Sequence, residues 1–392
     1  MTDLYCCRCM QPLEGAVCPR CGPAGSLYRV PRHHLHPGTV LSNRYVVNRA
    51  LGEGGFGITY VGADINLDMT VAIKEFYPGG LADRDRTISH RVIPKAGREG
   101  ETFRKGLESF VQEARILAKL VAESGIVGVR DYFEANGTSY IIMEYLRGET
   151  LKAYLHRRGK LDFPRACRLL MPVIHSMERV HARGLIHRDI SPDNIMLLGD
   201  GRVKLLDFGA ARQVIRDLSK GLPVVLKPGY APEEQYRAGS NQGSWTDVYA
   251  MSAVLYRCVA GAEPVESIAR VYCDELIKPS ALGGLITPQQ ESVLMRGLAV
   301  RADCRIQSMT ELRLELEALG IGEQDRLSLT RTASMASSQT RVITPHDADS
   351  SIDSLRAAGV KLTMKRKATE TADGSRTWFC APTDMYANGM KD

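Results

Sequence analysis

The sequence predicts an α+β fold for the main part of the chain, from about residue 43 to residue 320. Strand patterns come first: "ITYV" follows a Gly-rich turn, and "TVAIKEF" follows a second, polar turn. A helical pattern comes next, because apolar side chains recur at three- and four-residue spacing over residues 101–121. No long low-complexity break interrupts the strand-like and helix-like patterns that follow.

Length and composition exclude several classes of protein. A chain of 392 residues is long enough for two or three folding units. A net charge of +6 is too dilute over that length to indicate DNA or RNA as the main partner. No stretch reaches the ~18 apolar residues of a membrane helix, and the N-terminus lacks the apolar core of a secretory signal. We therefore expect a cytoplasmic protein without a membrane span.

Composition shifts divide the chain into four segments. They are a Cys-rich segment (1–24), a Pro/Gly/His-rich linker (25–42), the main domain (43–320) and a tail (321–392). The tail is rich in Ser and Thr, as in "LSLTRTASMASSQTRVIT", and this composition predicts a largely flexible segment. "VKLTM" (360–364) and "TWFCA" (377–381) flank a polar, Gly-containing turn, so a short hairpin can form there.

The first segment contains two CxxC pairs, whose members are Cys6, Cys9, Cys18 and Cys21. Four thiolates suit a tetrahedral Zn²⁺ ion, and a segment with almost no core would draw its folding energy from the metal. Cys7 is an alternative ligand to Cys6. A redox-active dithiol is the second interpretation, but the βαβ pattern that accompanies such dithiols is absent.

Other cysteines and histidines carry weaker signals. We expect burial for the scattered cysteines, which are Cys167, Cys258, Cys273, Cys304 and Cys380. Three linker histidines, His33, His34 and His36, could bind a metal, but solvated linker side chains are the favoured interpretation.

A glycine-rich stretch, "LGEGGFG", contains Gly52, Gly54 and Gly57 in GxGxxG spacing. The pattern alone is weak, since glycines also mark ordinary tight turns. A dinucleotide-binding loop would be followed by a helix, whereas here β-type residues follow. The favoured interpretation is a β-hairpin that covers phosphates, with glycines that let the backbone approach them closely.

Lys74 ends the strand-like "VAIK", and an isolated lysine there would normally be a surface residue. Glu113 lies at the margin of the apolar face of the predicted helix, and on its own it would be a solvated residue. Considered together, the two residues suggest an ion pair between the strand and the helix.

These stretches, with "HRDISPDN" (187–194), "DFG" (207–209), "APE" (231–233) and "WTDVYA" (245–250), resemble the eukaryotic-like (Hanks-type) Ser/Thr protein kinases, which also occur in bacteria. The resemblance covers about 280 residues. It implies a two-lobed fold, with a β-rich N-lobe and an α-rich C-lobe, that binds ATP with Mg²⁺ or Mn²⁺.

The resemblance also implies residue roles. Lys74 would contact the α- and β-phosphates and Glu113 would orient it, while Asp207 and Asn194 would bind the metal ions. Asp189 would accept the proton of the substrate hydroxyl. The adenine pocket would be formed by Leu51, Thr59, Ala72, Met143, Glu144, Leu146 and Met196, with Met143 as gatekeeper; plain core packing explains the apolar members equally well.

One departure from the family pattern concerns Ser191 and Lys227. The pattern HRDxKPxxN has a lysine where Ser191 stands, and the threonine that precedes the APE triplet is replaced by Lys227. Since the two positions are neighbours in the family's fold, we expect Lys227 to supply the missing charge near Asp189 and the γ-phosphate, and Ser191 to supply the hydroxyl. The alternative is a solvated Lys227 and a tolerated Ser191.

Further expectations concern support and regulation. Asp247 would steady the catalytic loop, and Glu233 would form a C-lobe ion pair with Arg305. Arg188 would meet a phosphorylated activation segment, in which Ser219 is the only Ser or Thr between Asp207 and Glu233. Activity without this phosphorylation is the equal alternative. Residues 76–108 form an insertion longer than the family usually has there.

The sequence thus predicts a Ser/Thr protein kinase that acts on protein substrates in signalling and autophosphorylates, with tyrosine as the second choice of acceptor. Phosphorylation of the tail would attract a phosphothreonine-reading partner. The alternative is a nucleotide-binding pseudokinase scaffold that acts through its zinc ribbon.

Overall fold

The computed structural model describes residues 30–85, 90–120, 122–209, 226–237 and 239–321, with residues 6, 10, 17–20, 22–23, 215, 368–370 and 376–378. Contacts divide the chain into two units, Met1–Thr330 and Arg331–Asp392.

The first unit begins with strands. These are β1 (Val17–Cys18), β2 (Gly22–Pro23), β3 (Val40–Leu41), β4 (Tyr45–Gly54), β5 (Gly57–Asp64), β6 (Met69–Phe76), β7 (Ala82–Arg84), β8 (Val92–Pro94), β9 (Val129–Ala135), β10 (Thr138–Glu144), β11 (Gly148–Thr150), β12 (Ile195–Leu198) and β13 (Val203–Leu205). The main sheet has the order β3-β4-β5-β6-β10-β9. Adjacent strands in this sheet are all antiparallel. Strands β4 and β5 form the hairpin predicted for the Gly-rich stretch, with Gly54 opposite Gly57.

Among its described residues the first unit has seven α-helices, and all except the first build the second lobe. They are α1 (Arg98–Ala118), α2 (Leu151–Arg158), α3 (Phe163–His181), α4 (Ser244–Ala260), α5 (Ser267–Tyr272), α6 (Pro288–Gly297) and α7 (Met309–Ala318). Helix α1 belongs to the N-lobe and packs on β9 and β10. The C-lobe core lies among α3, α4, α6 and α7, with the small sheet β11-β12-β13 at its edge towards the N-lobe.

Local chemistry sets the helix ends. The side chain of Asp162 accepts the N–H of Arg165 at the start of α3, and Thr287 exchanges hydrogen bonds with Gln290 at the start of α6. Gly261 ends α4 with φ 76°, a left-handed conformation that a residue without Cβ adopts freely. The buried residues of α1 include Phe103, which confirms the predicted inward face.

The second half of the segment predicted to be a linker, residues 25–42, is folded in the structure. Leu35 and Leu41 are buried, and β3 joins the edge of the main sheet. Their apolar side chains add to the core of the N-lobe, so residues 30–42 are part of the folded domain. His34 is likewise buried, which contradicts its interpretation as a solvated histidine.

The insertion between β6 and α1 contains the hairpin β7-β8. Arg84 of β7 extends into the N-lobe, where its guanidinium donates to Glu75 of β6 at 2.6 Å. Both side chains are almost fully buried. The insertion is therefore anchored in the lobe.

Burial of the scattered cysteines was predicted correctly only in part. Cys167 in α3 and Cys258 in α4 are buried, but Cys273 and Cys304 are exposed because they lie just after α5 and in a surface turn. Cys380 lies outside the described residues. None of the helices among the described residues is long and apolar enough to cross a bilayer.

The second unit contains one hairpin among its described residues, β14 (Ala368–Glu370) paired with β15 (Arg376–Trp378). It surrounds the predicted polar turn. The predicted strand at 360–364 lies outside the described residues, and the first strand lies closer to the turn than predicted.

Candidate active site between the sheet and the helical lobe

A cleft of about 600 Å³ separates the main sheet from the helical lobe. It is lined by all seven residues predicted for the adenine pocket, by the three glycines and by Lys74, Glu113, Asp189, Asn194, Asp207 and Lys227. Ser191 is fully buried behind the cleft and contacts Lys227. The structure therefore brings all the residues predicted for catalysis and nucleotide binding to one place.

The Gly-rich hairpin forms the roof of the cleft. An added Cβ at Gly52 or Gly54 would meet no atom within 4 Å, so the space next to these residues is free for a ligand. At Gly57 it would lie 2.4 Å from the backbone oxygen of Glu75. Gly57 is therefore needed for the close approach of β5 to β6.

Lys74 on β6 lies between two carboxylates. Its Nζ is 3.2 Å from Oδ1 of Asp207 and 3.8 Å from Oε1 of Glu113 on α1. Glu113 is almost fully buried, whereas Asp207 is partly exposed to the cleft. Two carboxylates hold the ammonium group in the cleft, where it can meet an anionic ligand.

Asp189 and Asn194 lie on the catalytic loop, on the opposite wall. The amide of Asn194 donates to Oδ2 of Asp189 at 2.7 Å and to the backbone oxygen of Asp189 at 2.8 Å. These bonds fix the direction of the Asp189 carboxylate. The amide oxygen of Asn194 and the carboxylate of Asp207 are the kinds of ligand that Mg²⁺ prefers, so these residues fit the predicted metal.

Asp247 on α4 holds the catalytic loop through hydrogen bonds to its backbone. Its carboxylate accepts the peptide N–H groups of His187 and Arg188, each at 2.8 Å, and the side chain of His181 at 2.8 Å. Burial raises the pKa of Asp247, but the hydrogen bond from His181 and the nearby histidines outweigh it and lower the pKa below its usual value. Arg188 has φ 65°, and the bonds to Asp247 hold this strained turn in place.

Lys227 reaches the catalytic loop from the segment before APE. Its Nζ donates to Oγ of Ser191 at 2.7 Å and lies 3.9 Å from Oδ1 of Asp189 and from Oδ2 of Asp193. About a third of its side chain is exposed, on the side of the cleft. A cation thus stands beside Asp189.

Some residues of the site were not predicted. Lys204 on β13 is buried and forms an ion pair with Glu144, whose carboxylate also accepts the N–H of Gly128 at 2.7 Å. This contact fixes the chain where it crosses between the lobes. Gln235 donates to the backbone oxygen of Arg188 at 2.9 Å. Neither residue stands in a recognisable motif.

The predicted ion pair between Glu233 and Arg305 is wrong. Arg305 instead donates to both carboxylate oxygens of Glu234, at 2.7 and 3.3 Å. A short 3-10 turn over Glu233–Gln235 points Glu234 inwards, and Glu233 meets Arg237 near the surface at 3.3 Å. Ser219 lies outside the described residues.

Residues 45–291 match the family described as protein kinase domain. The chain belongs to the protein kinase family. The match runs from β4 to the start of α6 and includes every cleft residue described above, so the strand-rich and helical parts are the two lobes of a protein kinase fold.

Curated relatives of this kinase are Ser/Thr enzymes by name. It is 29% identical to a probable serine/threonine-protein kinase of Streptomyces coelicolor, over 71% of this chain and 40% of the relative. It is 31% identical to the serine/threonine-protein kinase PknA of a Nostoc species, over 72% of this chain and 48% of that relative. The chain thus spans less than half the length of these relatives.

A solved structure, described as the apo form of PpkA-294, is also similar to this kinase. The identity is 37% and the TM-score is 0.63, over 72% of this chain and 99% of that chain. This likeness supports the prediction of a two-lobed kinase fold.

Proposed function

We propose that this chain transfers the γ-phosphoryl group of ATP to serine or threonine side chains of proteins. The observation that carries the proposal is the arrangement across the cleft. Lys74 lies between Glu113 and Asp207 on one wall, and Asp189 is oriented by Asn194 on the other. Phosphoryl transfer needs mainly positioning and fixed charge, and these residues supply both.

Each residue has a defined task in this proposal. Lys74 binds the α- and β-phosphates, and Asp207 with Asn194 would hold Mg²⁺ or Mn²⁺. The metal, when bound, neutralises phosphate charge. Asp189 accepts the Asn194 amide through Oδ2, and this bond directs the carboxylate that accepts the proton of the substrate hydroxyl.

Wild type and Asp189→Asn, incubated with ATP, Mg²⁺ and a general protein substrate, test the function. We expect phosphoserine or phosphothreonine with wild type and a loss of at least ~100-fold in the variant. Equal phosphorylation by both proteins, or none by either, would instead favour a nucleotide-binding scaffold. Phosphotyrosine as the main product would refute the choice of acceptor.

We propose further that Lys227 carries the positive charge that the loop lysine of other family members supplies. Its ammonium contacts Ser191, which occupies that lysine's position, and lies near Asp189. A charge fixed beside the general base stabilises the transferring phosphoryl group. The side-chain contact supports this exchange of roles over a solvated Lys227.

The N-terminal segment we propose to be a small zinc ribbon with Cys6, Cys9, Cys18 and Cys21 as ligands. Cys6 and Cys18 are buried, and the Met10 N–H closes a turn onto the backbone oxygen of Cys6 at 2.9 Å. Cys18 pairs with Gly22 between β1 and β2. Cys9 and Cys21 lie outside the described residues.

A Co²⁺-substituted protein tests the ribbon. Thiolate ligands give an intense cobalt charge-transfer band in the near ultraviolet, and Cys18→Ser should weaken it while Cys273→Ser, which changes an exposed cysteine, should not. An unchanged band in Cys18→Ser would refute this ligand set. Because zinc thiolates require reduced cysteines, the proposal is consistent with a cytoplasmic location.

For the tail, we propose autophosphorylation within residues 327–344 and recognition of the product by a phosphothreonine-reading partner. Ser and Thr next to arginines in this stretch support the proposal. The stretch lies outside the described residues. Mass spectrometry of the active kinase and of Asp189→Asn tests it, and a tail without phosphate in both proteins would refute it.

A further inference from the structure

Two linker histidines converge on the Gly-rich hairpin. Nε2 of His33 lies 2.8 Å from Oε1 of Glu53, and Nε2 of His34 lies 2.9 Å from Oε2 of the same carboxylate. Glu53 stands between Gly52 and Gly54 in β4 and lines the nucleotide cleft. Three groups that commonly bind metals are therefore gathered at one edge of the cleft.

The segment that carries the histidines is firmly held. Its Leu35 is buried and donates its N–H to the hydroxyl of Tyr60 at 3.1 Å. Arg84 donates to the backbone oxygen of His33 at 2.7 Å, and the His33 ring stacks on Tyr77 with 5.7 Å between centroids. The imidazoles are thus positioned by contacts other than those to Glu53, as the ligands of a binding site should be.

We propose that His33, His34 and Glu53 bind a divalent transition-metal ion of the Zn²⁺, Ni²⁺ or Co²⁺ class. One ligand atom from each residue lies within 4.8 Å of the others, close enough to surround one ion with small side-chain shifts. Imidazole with carboxylate suits these ions and not Mg²⁺. Glu53 and His33 are partly exposed, so the ion can enter from solvent.

The surroundings of His34 indicate reversible binding. A histidine that ligates through Nε2 carries its proton on Nδ1, and this proton usually has an acceptor. Nδ1 of His34 is buried and has no hydrogen-bond partner among the described residues. The unpaired proton lowers metal affinity, so the site exchanges its metal more readily than the four-cysteine site proposed for the N-terminus.

Metal bound here would couple the segment that carries the two histidines to nucleotide binding, because Glu53 belongs to the roof of the cleft. A metal ion bound to this site fixes the β4-β5 hairpin. The affinity for nucleotide then differs between the metal-loaded and the metal-free protein. By linkage, nucleotide changes metal affinity by the same factor. The inference does not depend on phosphoryl transfer, since both affinities are measured without turnover.

Titration of the full chain with Co²⁺ after chelation tests the site. We expect two classes of bound cobalt, one with thiolate charge transfer and one with visible d–d bands only. His33→Ala and Glu53→Gln should each abolish the second class and leave the first. His156→Ala, which removes an exposed histidine from α2, should retain both classes.

The outcomes are distinct. A second class that persists in His33→Ala and in Glu53→Gln, or is absent from wild type while the thiolate class is filled, overturns the site. Equal affinity for a non-hydrolysable ATP analogue with and without the second metal overturns the coupling. We expect at least a ~3-fold difference, or about 0.7 kcal/mol, in wild type and none in His33→Ala.

Discussion

His187 is fully buried in the catalytic loop, and its two ring nitrogens have different partners. Nε2 lies 2.7 Å from the backbone oxygen of Leu206, and Nδ1 faces the N–H of Asp189 at 3.2 Å. Only the neutral ring, protonated at Nε2, satisfies both contacts. Burial lowers the pKa of His187 below its usual 6.5, although Asp247 opposes this effect.

We predict that the pKa of His187 lies below its usual value of 6.5, because burial disfavours the charged ring. A folded-state pKa below the unfolded one means that the unfolded chain binds more protons, so this contribution to stability falls as pH drops below about 6.5. Long-range ¹H–¹⁵N NMR checks both the tautomer and the midpoint. A midpoint at or above 6.5 would contradict the prediction.

Glu234 and Glu233 are neighbours with opposite environments, and they offer a matched pair of variants. Glu234→Gln leaves the buried guanidinium of Arg305 without its counter-ion, so we expect a loss of about 3–5 kcal/mol in the free energy of unfolding. Glu233→Gln removes only a contact near the surface and should cost less than about 1 kcal/mol. Urea unfolding measures both; the reverse order would restore the pairing first expected from the family.

Single residues show where sequence reasoning fails. The motifs were sufficient to select Lys74, Glu113, Asp189, Asn194 and Asp207. Lys204 was missed because a lysine within a short strand has no sequence feature that separates a buried ion pair from a solvated side chain. The misplaced pairing of Glu233 arose because the geometry of one 3-10 turn decides which of two adjacent glutamates faces inwards.

At the scale of elements, Glu75 connects the insertion to the main sheet. Its buried carboxylate accepts the hydroxyls of Tyr60 at 3.1 Å and Tyr140 at 2.8 Å, in addition to Arg84. Glu75 follows Lys74 in β6, so the two side chains point to opposite faces of the sheet. The β7-β8 hairpin therefore braces the strand that positions Lys74.

We predict that Arg84→Ala destabilises the N-lobe by about 3–5 kcal/mol, because Glu75 would stay buried without its cation. Hydrogen exchange should increase in β6 and in the β7-β8 hairpin. Arg91→Ala, at an exposed position of the same insertion, is the control and should leave exchange in β6 unchanged. Unaltered exchange in Arg84→Ala would show that the hairpin does not brace the strand.

Elements with strong local patterns were predictable, and the rest were not. The β4-β5 hairpin and α1 followed from alternation, glycines and helical spacing. The packing of residues 30–42 was missed because Leu35 and Leu41 are the only buried apolar side chains of this stretch, among Pro, Gly and His residues typical of a linker. The ion pair between Arg84 and Glu75 is a tertiary contact, and hydrophobic periodicity in the sequence does not predict such contacts.

At the scale of the whole molecule, the two lobes give the site its function. The N-lobe supplies Lys74, Glu113 and the Gly-rich roof, and the C-lobe supplies Asp189, Asn194 and Asp207. The order of the motifs was enough to predict this architecture. The family resemblance also predicted that Lys227 and Ser191 are neighbours, and the structure adds the hydrogen bond between their side chains.

The central claim is that a lysine from the segment before APE carries the charge beside Asp189 in a working kinase. The most direct measurement is the single-turnover rate of phosphoryl transfer to protein at saturating ATP and Mg²⁺. Lys152→Ala is the control, because Lys152 contacts Asp193 at 3.0 Å and has no ion pair with Asp189 among the described contacts. We predict a rate within about 3-fold of wild type for this control.

For Lys227→Ala we predict a rate at least ~100-fold below wild type, as expected for the loss of one charge that stabilises the transition state. A rate within about 3-fold of wild type would contradict the claim.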